Sequence, residues 1–272
     1  MKKFALLALL IFAVAAFAAC TQEETPAGAD QAPRRTLIMG TSAGFPPFEF
    51  IADHGEGVIG QYAGIDISLV RRIAQELDVD VEIQDMEFAG LIFALQTRSI
   101  DFIAAGMTIR PDRAEMVNFT VPYFTAGQRV VVRADSPANS VADLEGMIVG
   151  VQIGTTGDLA ITDGHADGVV TFDDIMRYNQ PVPGILDLLS GSIDAFVIDA
   201  PVARGFLANH PDDLRIFYDP NEFFGHEQFG MAFHLEDTAL LAEFNEVLER
   251  LIAEGYVEHL YEYYTEKLAQ AD

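Results

Sequence analysis

Apolar runs of strand length alternate with helical segments along almost the whole chain, and Gly- or Pro-bearing loops separate many of them. Such alternation predicts α/β units with open sheets, because parallel strands must be joined by crossover helices. TLIMGT reads as a buried strand that runs into the loop GFPPFEF, where Pro46 and Pro47 prevent regular structure. From Gly64, GIDISLVRRIAQELD sets Ile65, Leu69, Ile73 and Leu77 on one helical face, with Asp66 near the start. VDVEIQDM alternates as a strand, and AGLIFALQTRSIDFIAAG predicts a helix followed by a strand. Pro111 opens a helix over PDRAEMV, which puts Arg113 in its first turn.

The pattern then repeats. QRVVVR is strand-like, VADLEGMIVGVQIGTTGDLAI gives turn, strand, Gly/Thr loop and helix, and VVTF reads as a further strand. PGILDLLSGSIDAFVIDAPVARGFLANH predicts helix, strand and helix, and LRIFYD another strand. From Asp237 onward the chain is largely helical, with an apolar stripe through Leu240, Phe244, Val247, Leu248 and Leu251. A chain of 272 residues is long for one ordinary core, so two α/β units are expected. Ligands of open sheets bind beyond the carboxyl ends of the strands.

At the N-terminus, Lys2 and Lys3 precede an apolar run that closes on small residues, so 1–19 reads as an export signal, too short to persist as a bilayer span. Cys20 is the only cysteine, which excludes an intrachain disulfide. Its place resembles a bacterial lipobox, in which the thiol becomes the acylated N-terminus, although Phe17 stands where Leu is more usual. The alternative is ordinary cleavage after Ala16-Phe17-Ala18, with Cys20 a bystander. Residues 20–35 form a polar stretch suited to a flexible tether. The net charge of -26 disfavours nucleic acid as a partner; it fits either life in high salt or a soluble secreted surface. The six histidines lack metal-ligand spacing, and Gly154-Thr155-Thr156-Gly157 lacks the Lys of a phosphate-binding loop, so neither metal nor cofactor is expected.

GTSAGFPPFEF, GIDISLVRRIAQEL, MEFAGLIFALQTRSIDFIAAGMTIRPDRAEMVNFTVPYFTAG, VADLEGMIVGVQIGTT, LLSGSIDAFVIDAP and EQFGMAF stand in this order within residues 36–268. Together they resemble the periplasmic polar-amino-acid-binding proteins of ABC importers. The resemblance implies an α/β, two-lobed, periplasmic-binding-protein-like (type II) fold with two hinge strands. It puts lobe 1 at 36–127 and 225–272, and lobe 2 at 128–224, with the crossings near Gly127-Gln128 and Phe224-Gly225. It also implies a monomeric, non-enzymatic protein of the periplasm or cell surface, held to the membrane by lipid on Cys20. Such a protein captures a free amino acid, or a similar carboxylated molecule, for ABC permease subunits.

The same resemblance assigns roles. Arg113 would pair with the ligand carboxylate together with Thr108; without the resemblance, an Arg in a first helical turn reads as a solvated surface residue. The Gly106 carbonyl and Asp199 would hold the ammonium, although Asp before Ala-Pro is also a good helix N-cap. Thr156, opening a helix, would add an N–H donor with the helix dipole behind it. Phe45 and Phe88 would flank the ligand side chain. Ser42 stands where some relatives carry an acidic reader and Gln152 where some carry Lys, so an uncharged ligand side chain is expected. Two alternatives share the fold: a cyclohexadienyl dehydratase, with Glu227 or Asp199 conceivable as general acid, and a ligand-binding module that feeds a sensor.

Overall fold

The computed structural model describes residues 34–52, 61–219 and 223–270. Its strands and helices run β1 (Thr36–Thr41), β2 (Phe50–Ile51), β3 (Tyr62–Ala63), α1 (Ile65–Leu77), β4 (Asp80–Asp85), α2 (Leu91–Gln96), β5 (Phe102–Ile103), α3 (Pro111–Ala114), β6 (Asn118–Phe119) and β7 (Phe124–Arg133). There follow β8 (Ile148–Gln152), α4 (Thr156–Ala166), β9 (Asp174–Tyr178), α5 (Pro181–Ser190), β10 (Ala195–Asp199), α6 (Ala200–Asn209), β11 (Leu214–Phe217), β12 (His226–Phe229), β13 (Ala232–Phe233), α7 (Thr238–Ala253) and α8 (Tyr256–Gln270).

Two main sheets result. The first has the order β4-β1-β5-β13-β6, the second β11-β7-β10-β8-β9. In each, parallel strands joined through helices form one side: β1 pairs in parallel with β4 and β5, and β8 with β9 and β10. This is the expected two-lobed α/β architecture. The long β7 serves both halves. Phe124–Gly127 pairs with β12, whereas Gln128–Arg133 pairs with β10 and β11, so the partner changes at Gly127-Gln128.

Each sheet covers one face with its own apolar layer. Leu91, Leu95, Ile100 and Ile103 pack on the first, and Val130, Val149, Val151 and Ile161 on the second. A third cluster runs from Ile65, Leu69 and Ile73 of α1 through Phe244 and Leu260 to Val202, Phe206 and Phe196, so apolar contact is continuous between the two halves. Burying an aliphatic or Phe side chain contributes about 1.5–3 kcal/mol.

The structure moves one predicted strand. VVTF is not a strand; the sheet edge is formed instead by Asp174–Tyr178, in parallel register with β8. Val170 and Phe172 are buried all the same, because they plug the core from a loop, and the Phe172 ring stacks on His165. An exposed edge strand needs polar side chains, and DIMRY supplies them. The helix at Pro111 is also shorter than PDRAEMV, ending at Ala114. The helical C-terminal region is split, with Gly255 at φ 74 between α7 and α8.

Candidate functional site

The carboxyl ends of β1, β5, β8 and β10 deliver most of the site. Thr41 closes β1 onto the segment after β5 by donating its hydroxyl to the Ala104 carbonyl at 2.8 Å, which leaves the buried Ser42 just beyond. The Pro-Pro loop turns tightly, with the Phe45 N–H donating to the Glu49 carbonyl at 2.9 Å. Gly106 takes φ 52, and a Cβ there would stand 2.9 Å from the Phe45 ring, so only glycine lets backbone and ring approach this closely. Its N–H donates to Asp66 Oδ2 at 2.8 Å, and the Tyr123 hydroxyl donates to the same carboxylate at 2.7 Å. Asp66 is therefore a buried anchor rather than an exposed charge at the start of α1, and burial raises its pKa to about 7 despite these two donors.

Arg113 is 3% exposed, so the solvated reading of a first-turn arginine does not apply. Its Nη1 donates to the Thr108 carbonyl at 2.8 Å and its Nη2 to the Gly154 carbonyl at 3.0 Å. Its guanidinium lies 5.2 Å from the centre of the Phe88 ring. Burial, with Arg110 nearby, lowers its pKa to about 10, which leaves it a cation at neutral pH. The remaining N–H groups of the fork are free to receive an anion.

From the second half, Thr155 caps α4 by accepting the Asp158 N–H at 3.2 Å, which puts Thr156 at the first helical position, where backbone N–H groups lack helical partners. The Thr156 hydroxyl is buried and unpartnered. Gln152 donates to the Asn179 carbonyl at 3.1 Å. Asp199 occupies the N-cap position of α6, yet its side chain makes no capping bond. Its Oδ1 is buried without a partner. Burial first, then the charge of Glu227, holds its pKa well above the usual carboxylate range, and the Gln128 side chain partly offsets this.

All nine sequence candidates (Ser42, Phe45, Phe88, Gly106, Thr108, Arg113, Gln152, Thr156 and Asp199) line one cavity, together with Ala105, Thr155 and Glu49. Glu49 was missed. It is 1% exposed, its Oε2 is unpartnered, and burial, followed by the charges of Asp66, Asp199 and Asp85, pushes its pKa well up. A buried polar atom without a hydrogen bond costs about 1–3 kcal/mol. Three such atoms, on Glu49, Thr156 and Asp199, belong to residues lining this one cavity, as a ligand site requires. Asn179 Nδ2 donates to Glu87 Oε1 at 2.6 Å and Gln180 Nε2 to the cavity residue Ser42 Oγ at 3.3 Å, two further bonds between the halves. Cys20 lies outside the described residues.

The fold and this enclosed, charge-lined cavity between two lobes define a ligand-capturing protein. The chain belongs to the bacterial extracellular solute-binding proteins, family 3, whose model matches residues 37–267. It is 32% identical to the arginine-binding extracellular protein ArtP of Bacillus subtilis (strain 168), over 96% of this chain and 96% of that protein. Among solved structures, a mutant of ArgBP from T. maritima superposes with a TM-score of 0.75 at 40% identity, covering 85% of this chain and 95% of that one. An ancestral arginine-binding protein bound to arginine gives a TM-score of 0.75 at 34% identity, covering 86% and 99%.

Proposed function

We propose that this protein captures a free amino acid outside the cytoplasm and delivers it to an ABC importer, and that arginine or a similarly cationic amino acid is its ligand. The observation that carries this is the opposition of Arg113 and Asp199 in one cavity: a guanidinium fork for a carboxylate and a buried carboxylate for an ammonium. In this reading Arg113, the Thr108 N–H and the Thr156 N–H take the ligand carboxylate. The Thr108 N–H is not used in the bridge to Phe229, whose bonds run from the Ile109 N–H to the Gln228 carbonyl at 2.8 Å and from the Gly230 N–H to the Met107 carbonyl at 3.0 Å. Asp199 and the Gly106 carbonyl take the ammonium.

Glu49 turns the expected side-chain preference around. Ser42 and Gln152 alone favour an uncharged ligand side chain, but the cavity is lined by two carboxylates, each with one unpartnered oxygen, against the one guanidinium of Arg113. A zwitterion with a cationic side chain balances these charges; a neutral side chain leaves Glu49 uncompensated. Phe45 and Phe88 provide aromatic walls for such a side chain. The arginine-binding proteins among the relatives support the same choice. A melting-shift panel of amino acids tests it: arginine should give the largest shift, and a response confined to small neutral amino acids would rule this ligand class out.

The finer parts of the proposal concern delivery. The lobes, 36–127 with 225–272 and 128–224, would rotate about the crossings near Gly127-Gln128 and Phe224-Gly225. Segment 1–19 would be removed on export, and lipid on Cys20 with the tether 20–35 would hold a monomer at the membrane near its permease, in the periplasm or at the cell surface.

A further inference from the structure

We propose that Glu227 is a positioning residue that sets the hydrogen-bond polarity of the ligand site. This rests on the amino-acid reading above. Glu227 comes from β12, is 6% exposed, and uses both carboxylate oxygens: Oε2 accepts the Thr108 hydroxyl at 2.7 Å and Oε1 accepts the Gln128 amide at 3.0 Å.

A hydroxyl has one hydrogen, and an ionised carboxylate can only accept. The Thr108 hydrogen is therefore committed to Glu227, which leaves Thr108 Oγ as an acceptor toward the cavity. It cannot donate to the ligand carboxylate; it can accept from the ligand ammonium. The Thr108 side chain and backbone then serve opposite ends of one zwitterion, the N–H for the carboxylate and the hydroxyl oxygen for the ammonium. Gln128 is oriented in the same way. With its NH2 held by Glu227, its Oε1 is directed elsewhere and is buried without a partner, 2.9 Å from where a Cβ on Gly157 would stand. Gln128 lies opposite Asp199 in the β7–β10 register. Glu227 thus controls two neighbours of the ammonium position without lining the cavity itself.

Replacing Glu227 by Gln retains the shape but supplies an NH2 that can donate to Thr108, which frees the Thr108 hydrogen to point at the ligand. The readout is the ratio of arginine affinity to that of its deaminated analogue, which has no α-ammonium, by calorimetry. E227Q should lower this ratio at least about tenfold relative to the parent, chiefly through arginine. In a T108V background, the further effect of E227Q on the ratio should largely disappear, as coupling through Thr108 requires. An unchanged ratio in folded E227Q, or equal E227Q effects with and without the Thr108 hydroxyl, would overturn the inference. T108V alone provides a second arm: it must lower the ratio, and failure to do so overturns the inference even if E227Q does not fold. A parent that binds no amino acid would instead refute the function proposed above.

Discussion

The guanidinium of Arg113 reaches across the cleft to the Gly154 carbonyl at 3.0 Å, so the residue proposed to hold the ligand carboxylate is also a bridge between the two halves of the protein. Closure and carboxylate recognition then share one side chain, and a ligand that occupies the fork stabilises the closed arrangement through it.

Arg113→Lys should weaken binding by about 2–5 kcal/mol, because an ammonium cannot reproduce a planar fork between Thr108, Gly154 and a carboxylate. Calorimetry on the folded variant checks this. An unchanged dissociation constant would remove Arg113 from the site.

Asp199→Asn separates binding from capping. Since Asp199 makes no capping bond and its charged form is penalised by burial, the variant should melt within about 0.5 kcal/mol of the parent or above it, yet bind arginine at least about tenfold more weakly. Parent-like affinity would leave Asp199 a structural residue.

The empty protein should lose stability as pH rises. Asp66, at about 7, and Asp199, also raised, keep protons in the folded state that the unfolded chain gives up near the ordinary carboxylate pKa of about 3.9. Their folded values lie above the unfolded ones, so their contribution is greatest below the unfolded pKa and is lost as pH climbs through the folded values. Melting between about pH 5 and pH 8 should show the decline, and Asp199→Asn should flatten it. A slope identical in the variant would exclude Asp199 as a source.

Glu49→Gln should reduce arginine affinity at least about tenfold while changing glutamine affinity far less, because only the cationic side chain gains from an ionised Glu49. Equal losses for both would assign Glu49 a structural role.

Much of this was legible in the sequence. The nine candidates came from the resemblance and not from local pattern, since alone Arg113 reads as a solvated first-turn residue, Asp199 as an N-cap and the two Phe as core; they stand at strand ends, in loops and in first turns, where side chains can face a ligand. Glu49 escaped notice because Phe48 and Phe50 flank it in a Pro-rich loop that reads as apolar filling; a carboxylate between two Phe was the available signal. Asp66 was placed on the helix correctly but not in the core, because a single apolar face does not reveal a helix start that is buried all round, as Ile65–Val70 is. VVTF misled since burial and strand pairing leave the same apolar signature in a short run. Glu227 entered the sequence reading only as a conceivable general acid of the dehydratase alternative, because its link to Thr108 and Gln128 exists only once the fold brings them together.

The most direct test of zwitterion capture by Arg113 and Asp199 is calorimetry with arginine, agmatine and deaminated arginine on the same protein. Arginine should bind at a single site, and agmatine, which lacks the carboxylate, and the deaminated analogue, which lacks the ammonium, should each bind at least about 100-fold more weakly, a loss of about 2.8 kcal/mol. Agmatine or the deaminated analogue binding as tightly as arginine would contradict the assignment of both ends of the site.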